Sequence, residues 1–171
     1  MKLFFDTRLG YLVAAPGTSD PLTTMVAKAG DTLPIDIEFG ASADPSGSPS
    51  FIEANTWTAA ALPGSTVITI GLKESGNYYD GTLLAGTSTS TYSNPVYQFE
   101  LDLDNTPIDT VLSRNDANSA NDVASLDCIF EVTYQEGGTG GWISSSYPVE
   151  FTLYHDLLAG AETAPDRKSV V

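Results

Sequence analysis

The chain has 171 residues, enough for one domain, and 42% of them are hydrophobic, enough to fill a core without a metal or disulfides. Its 22 acidic residues against 7 basic ones give a net charge of −15. That balance argues against a nucleic acid or an anionic membrane as partner, because both need Lys and Arg to neutralise phosphate. One cysteine, Cys128, excludes an internal disulfide, and with the single histidine, His155, it cannot supply the usual ligands of a zinc site.

The chain opens Met1-Lys2-Leu3-Phe4-Phe5-Asp6-Thr7-Arg8. Asp6 and Arg8 break the apolar run too early for an export signal. No apolar stretch approaches the roughly 20 residues of a membrane span. The expectation is synthesis in a cytoplasm without Sec export. Residues 2–5, 11–13 and 22–28 are short strand candidates, and residues 1–28 read as an N-terminal arm with the first short strands.

Ala29-Gly30-Asp31 reads as a turn. It leads into Leu33-Pro34-Ile35-Asp36-Ile37-Glu38-Phe39, where apolar and polar residues alternate. A strand has a side-chain period of two, so this segment predicts one buried face and one wet, acidic face. Residues 41–50 carry Pro45, Gly47 and Pro49 without periodicity and read as a loop, its end packed by Trp57 and Leu62. Residues 66–73 form a further strand candidate, and residues 82–85 a short strand or extended loop. Tyr97-Gln98-Phe99-Glu100-Leu101-Asp102-Leu103-Asp104 repeats the acidic alternation.

Thr106-Pro107-Ile108-Asp109 predicts a helix start. Thr106 serves as the cap, Pro107 fits the first turn and Asp109 stands three residues after the cap. The helix is expected to end near Leu112 or Ser113, followed by a polar loop over 115–122. Residues 124–134 predict a strand with Leu126, Cys128, Phe130, Val132 and Tyr134 inward. A glycine-rich connection follows, and residues 142–154 return with Ile143, Tyr147, Val149, Phe151 and Leu153 in phase. Residues after His155 read as a linker-like tail.

These segments predict an all-β fold: an antiparallel β-sandwich of jelly-roll or Ig-like type, with roughly seven to nine short strands and one short inserted helix. The expected organisation is an arm over 1–28, the sandwich over 29–156 and a tail over 157–171.

Catalytic chemistry is sparse. His155 and Asp156 are adjacent, so on an extended chain they face opposite ways, and no Gly-x-Ser-x-Gly turn supplies a nucleophile. Glu38, Glu100, Glu131 and Glu150 are the carboxylates a glycosidase pair would draw on. Each falls on the polar phase of a strand, which is how a solvated face looks. Cys128 is in phase with Leu126 and Phe130, as a small buried apolar residue would be. Asp102, Asp104 and Asn105, and Asn115, Asp116, Asn118, Asn121 and Asp122, are oxygen donors of the kind calcium takes, without EF-hand spacing. No cofactor, no metal and no catalytic residue is therefore expected, and the chain reads as a non-enzyme. Tyr78, Tyr79, Tyr92 and Trp142 lie in or beside predicted loops. Of these, Trp142, Tyr78 and Tyr79 are the candidates for stacking on a sugar ring.

Two segments together carry a resemblance. One is Ala29-Gly30-Asp31-Thr32-Leu33-Pro34-Ile35-Asp36-Ile37-Glu38-Phe39, with Ile70-Gly71-Leu72-Lys73 later. The other is Cys128-Ile129-Phe130-Glu131-Val132-Thr133-Tyr134, a glycine turn, then Val149-Glu150-Phe151-Thr152-Leu153-Tyr154-His155-Asp156. Their order over residues 29–156 resembles the β-sandwich domains of bacteriophage tail-tip, baseplate and fibre-attachment proteins, of the upper-baseplate or fibre N-terminal type. The resemblance implies a structural virion protein that docks onto other virion proteins and forms a homo-oligomer, with a trimer favoured. It carries no residue-level site. The alternative reading is a carbohydrate-binding module that recognises a host surface glycan.

Overall fold

The computed structural model describes residues 1–42, 56–77, 83–87, 91–93, 95–116, 125–138 and 140–154. In chain order the strands are β1 (Lys2–Asp6), β2 (Tyr11–Val13), β3 (Thr24–Lys28), β4 (Thr32–Ser42), β5 (Trp57–Ala59) and β6 (Val67–Glu74). They continue with β7 (Leu83–Thr87), β8 (Thr91–Ser93) and β9 (Val96–Asp102). Helix α1 (Thr106–Asp116) follows, and then β10 (Ser125–Gln135), β11 (Trp142–Ser144) and β12 (Val149–Tyr154).

They build two sheets. Sheet A runs β2-β1-β4-β9-β8, with β5 also paired to β4; sheet B runs β3-β12-β10-β6-β7, with β11 also paired to β10. The all-β sandwich is as expected, and so is a single α-helix among the described residues. The pairing is mixed rather than antiparallel. β1 runs parallel to β4, with Phe5 opposite Phe39, and β3 runs parallel to β12, with Val26 opposite Thr152. Both parallel pairs come from residues 1–28. The stretch that reads as an arm thus supplies an interior strand of sheet A and an edge strand of sheet B. The N-terminal ammonium itself donates to the Pro34 carbonyl at 2.7 Å.

The inward phase of each long strand fills the space between the sheets. Ile35, Ile37 and Phe39 of β4 and Phe99 and Leu101 of β9 face Ile70 and Leu72 of β6, Phe130 and Val132 of β10, and Phe151 and Leu153 of β12; all are buried. Phe39 bridges the layers. Its ring centroid lies 5.1 Å from that of Phe5, 5.4 Å from that of Tyr97 and 5.6 Å from that of Tyr134. The Tyr97 and Tyr134 rings stand edge-on to it, the arrangement that the ring quadrupole favours. Cys128 takes its expected inward place, and burial, with the Glu74 and Asp127 carboxylates, pushes its thiol up to about 12.

Two turns brace the fold, the first between the sheets and the second within sheet A. At the Ala29-Gly30-Asp31 turn, Gly30 adopts φ 90°, a conformation open to glycine. From there Ala29 N–H donates to the Tyr154 carbonyl in sheet B (2.8 Å), and Gly30 N–H to the Leu103 carbonyl just after β9 (3.0 Å). Between β1 and β2, the fully buried Asp6 carboxylate accepts from the N–H groups of Arg8 (2.9 Å), Leu9 (3.1 Å) and Ser42 (3.2 Å). That carboxylate therefore organises the β1–β2 turn and holds the end of β4 beside it.

Two local expectations are corrected. The helix cap is Asn105, whose Oδ1 accepts from Ile108 N–H at 3.0 Å, while Thr106 already lies inside a helix that runs to Asp116. A cap oxygen reaches the N–H three residues on, and the asparagine one residue earlier takes that role. The return strand over 142–154 is broken into β11 and β12. Ser145 N–H turns to the Val132 carbonyl at 2.9 Å, and Pro148 has no N–H for a ladder. Tyr147, expected inward, is exposed as a result, while Ile143 keeps the inward phase opposite Tyr134 on β10 yet stays partly exposed at the sheet end. Tyr147 packs edge-on against Tyr11, with ring centroids 4.9 Å apart.

Candidate functional site

The two outer faces of the sandwich differ in chemistry. On sheet A the register places Lys2, Asp36 and Gln98 in one row, Phe4, Glu38 and Val96 in the next, and Glu100 beside Pro34 and Asp102 beside Thr32 further along. Carboxylates dominate this face. One of them is anchored: Glu38 accepts from Trp57 Nε1 at 2.7 Å and pairs with Lys2 Nζ at 2.7 Å. Burial raises the Glu38 pKa, but the hydrogen bonds from Lys2 and Trp57 and the lysine charge outweigh it and hold the carboxyl below its ordinary value. Lys2 also lies 5.1 Å from the centroid of Phe4, and Phe4 meets Trp57 edge-on at 5.9 Å. Trp57 lies on β5 against Gly40, where an added Cβ would sit 2.5 Å from the indole. The alternation of β4 marked Glu38 as outward. Its partners come from strands distant in sequence, so the cluster is a product of the fold.

Sheet B presents threonine and apolar side chains. Val67, Gln135 and Trp142 form one row, and Thr69, Thr133 and Ser144 the next. Lys73, Ile129, Glu150 and Thr24 form another, and Val26, Thr152 and Asp127 lie beyond it. Val26 is 59% exposed and Trp142 55%, and Val67, Leu83 and Tyr154 are also exposed. Between these rows lies a shallow hollow of about 150 Å³, floored by Gly71 and lined by Leu83, Ile129, Lys73, Glu131, Thr69 and Thr133.

Of the residues singled out for sugar stacking, Trp142 is exposed on β11 at one end of sheet B, and Tyr78 and Tyr79 lie outside the described residues. Tyr11 and Tyr147 were not singled out, and they make an aromatic pair at one edge; nothing in the local pattern joined them. Glu100, Glu131 and Glu150 all project from outer faces. Glu131 and Glu150 are on sheet B and Glu100 on sheet A, so the fold does not bring them to one cleft. Asp102 Oδ1 accepts from Asp104 N–H (2.9 Å) and the Asp102 carbonyl from Asn105 Nδ2 (2.8 Å), so the Asp102 and Asn105 side chains shape the turn into α1. Among the described residues no group of three His, Cys, Asp or Glu side chains is placed to hold a metal. Most of the second acidic cluster, and His155, lie outside them. Among the described residues no helix is long and apolar enough to cross a membrane.

No protein-family model matches the chain, and no curated protein matches it. Among solved structures, the N-terminal domain of phage TP901-1 ORF48 aligns at 12% identity with a TM-score of 0.32, over 90% of this chain and 93% of that chain.

Proposed function

We propose that this protein is a structural component of a bacteriophage or prophage virion, in the tail, baseplate or fibre attachment, and that it acts by packing against other virion proteins and against copies of itself. It carries out no catalysis in this reading. The observation that carries it is the outer face of sheet B, where Val26, Tyr154, Leu83, Val67 and Trp142 are exposed. Exposed apolar surface rimmed by polar residues is characteristic of protein contact sites. The order of strand motifs over residues 29–156, which resembles phage baseplate and fibre-attachment domains, supplies the kind of particle. The acidic outer face of sheet A supports solubility, or a contact with a basic neighbour.

The test is immunogold electron microscopy of phage particles released by a strain that carries the gene, using antibody against this chain. Labelling at the tail is the expected result. Purified particles that lack the protein would contradict the reading. Binding of an isolated glycan to the Trp142 end of sheet B, lost in Trp142→Ala, would instead favour the carbohydrate-binding alternative.

A further inference from the structure

Edge strands are templates for pairing with another chain, and proteins usually blunt them with charge, proline, a bulge or a covering segment. The edge of sheet A at β2 is covered: Ala14 N–H donates to the Asp20 carbonyl and Leu22 N–H to the Leu12 carbonyl, both at 2.8 Å. The edge of sheet B at β3 is different. Among the described residues β3 pairs with β12 alone, in an unbroken register. It contains no proline, and its central residue is Val26, 59% exposed.

The direction of its backbone groups follows from the pairing. Glu150 N–H donates to the Thr23 carbonyl and Ala29 N–H to the Tyr154 carbonyl. In a parallel ladder this phase turns the N–H and C=O groups of Met25 and Ala27 toward β12. Those of Thr24, Val26 and Lys28 then point away from it. Both polar groups of Val26 therefore face outward. That is the requirement for a residue on a two-fold axis in an antiparallel pair, where it exchanges both hydrogen bonds with its own copy.

We infer that the β3 edge is the contact for a second copy of this chain, joining two B sheets antiparallel across a two-fold axis at Val26. The inference rests on the assembly reading above and replaces the trimer expected from the resemblance with a two-fold contact. Val26 meets the partner's Val26, and Thr24 stands opposite the partner's Lys28. Thr24 neighbours Glu150 in the same row on β12. Each lysine thus faces a position one strand, about 4.8 Å, from a glutamate of the other copy, and the charges complement each other twice. Beside this edge lies a hollow of about 300 Å³ lined by Val26, Ala27, Lys28, Asp31, Leu33 and Leu103, which the second copy would border.

Sedimentation velocity of the full chain across a range of concentrations tests this. The wild type is expected to show a monomer–dimer equilibrium. Val26→Lys, a change at an exposed position, is expected to weaken association at least tenfold while circular dichroism, and the melting temperature at a concentration where both proteins are monomeric, stay unchanged. Lys28→Glu should weaken it too, and Lys28→Glu combined with Glu150→Lys should restore it. A wild type that stays monomeric at every concentration overturns the inference, as does a dimer that Val26→Lys leaves intact. Either outcome leaves the virion reading to the immunogold experiment. Conversely, a Val26-dependent dimer absent from particles would sustain the contact and sink the virion reading.

Discussion

The outer faces of sheets A and B are built from the same alternation and do opposite things with it. On sheet A internal contacts hold one buried and one outward carboxylate. The buried Asp6 accepts from three backbone N–H groups, and on the outer face Glu38 is fixed by Lys2 and Trp57. Around them the carboxylates of Asp36, Glu100 and Asp102 keep the face wet. Covering them would mean desolvating several like charges, each costly to bury without a partner. On sheet B the outward threonines and apolar residues lose little on being covered, and the charges among them, Lys73, Asp127, Glu131 and Glu150, are of both signs. The difference is one of cost: covering sheet A's outer face desolvates like charges, and covering sheet B's threonines and apolar residues does not, which is the contrast the proposed assembly role draws on.

Substitutions can break or sharpen that contrast. The largest expected effect is Asp6→Ala, which strands the N–H groups of Arg8, Leu9 and Ser42. A stranded buried donor costs about 1–3 kcal/mol, so urea unfolding should show a loss of about 3 kcal/mol or more. A loss near zero would mean that the turn is not held by this carboxylate. Next is Gly40→Ala. Its Cβ would lie 2.5 Å from the Trp57 ring and 2.7 Å from the Thr58 carbonyl, so β5 must move. Overpacking of this kind costs about 1–3 kcal/mol, and tryptophan fluorescence should report the displaced indole.

Glu38→Gln gives a smaller, pH-dependent effect. The folded pKa of Glu38 is depressed, so its charged form stabilises the fold above the unfolded value, about 4.3, and that stability is lost as pH falls through the folded value. The wild type should therefore exceed Glu38→Gln in stability at neutral pH, and the gap should close in acid. A gap that is constant with pH would remove the ion pair from the account. The smallest expected effect is on the other sheet. Trp142→Ser should change stability by no more than about 0.5 kcal/mol, as is usual for an exposed position. A large loss in thermal unfolding would show that sheet B's outer face also serves the fold.

The sequence made the long strands legible because each has one buried face. β4, β9 and β10 read directly from the phase of Ile35, Phe99 and Phe130, and the helix start was visible one residue from its true cap. Partnership was less legible. Nothing in Lys2-Leu3-Phe4-Phe5 says that it lies parallel to Ile37 and Phe39, because parallel pairing joins segments far apart without a hairpin turn to announce it. The same holds for Val26 beside Thr152. The sequence around Trp57 shows only packing near a loop, since its contact with Glu38 needs β5 laid against the end of β4. Tyr147 fitted the inward phase on paper, but Pro148 and the Ser145 hydrogen bond end the ladder before that phase can apply.

Hydrogen exchange of the full chain at low and high protein concentration reads both sheets at once and separates the β3 edge from the rest. The amides of Thr24 and Val26 are expected to gain protection as concentration rises, while the amides of β1, β4 and β9 do not change. Protection that is independent of concentration throughout, or that rises on sheet A instead, would contradict the β3 contact.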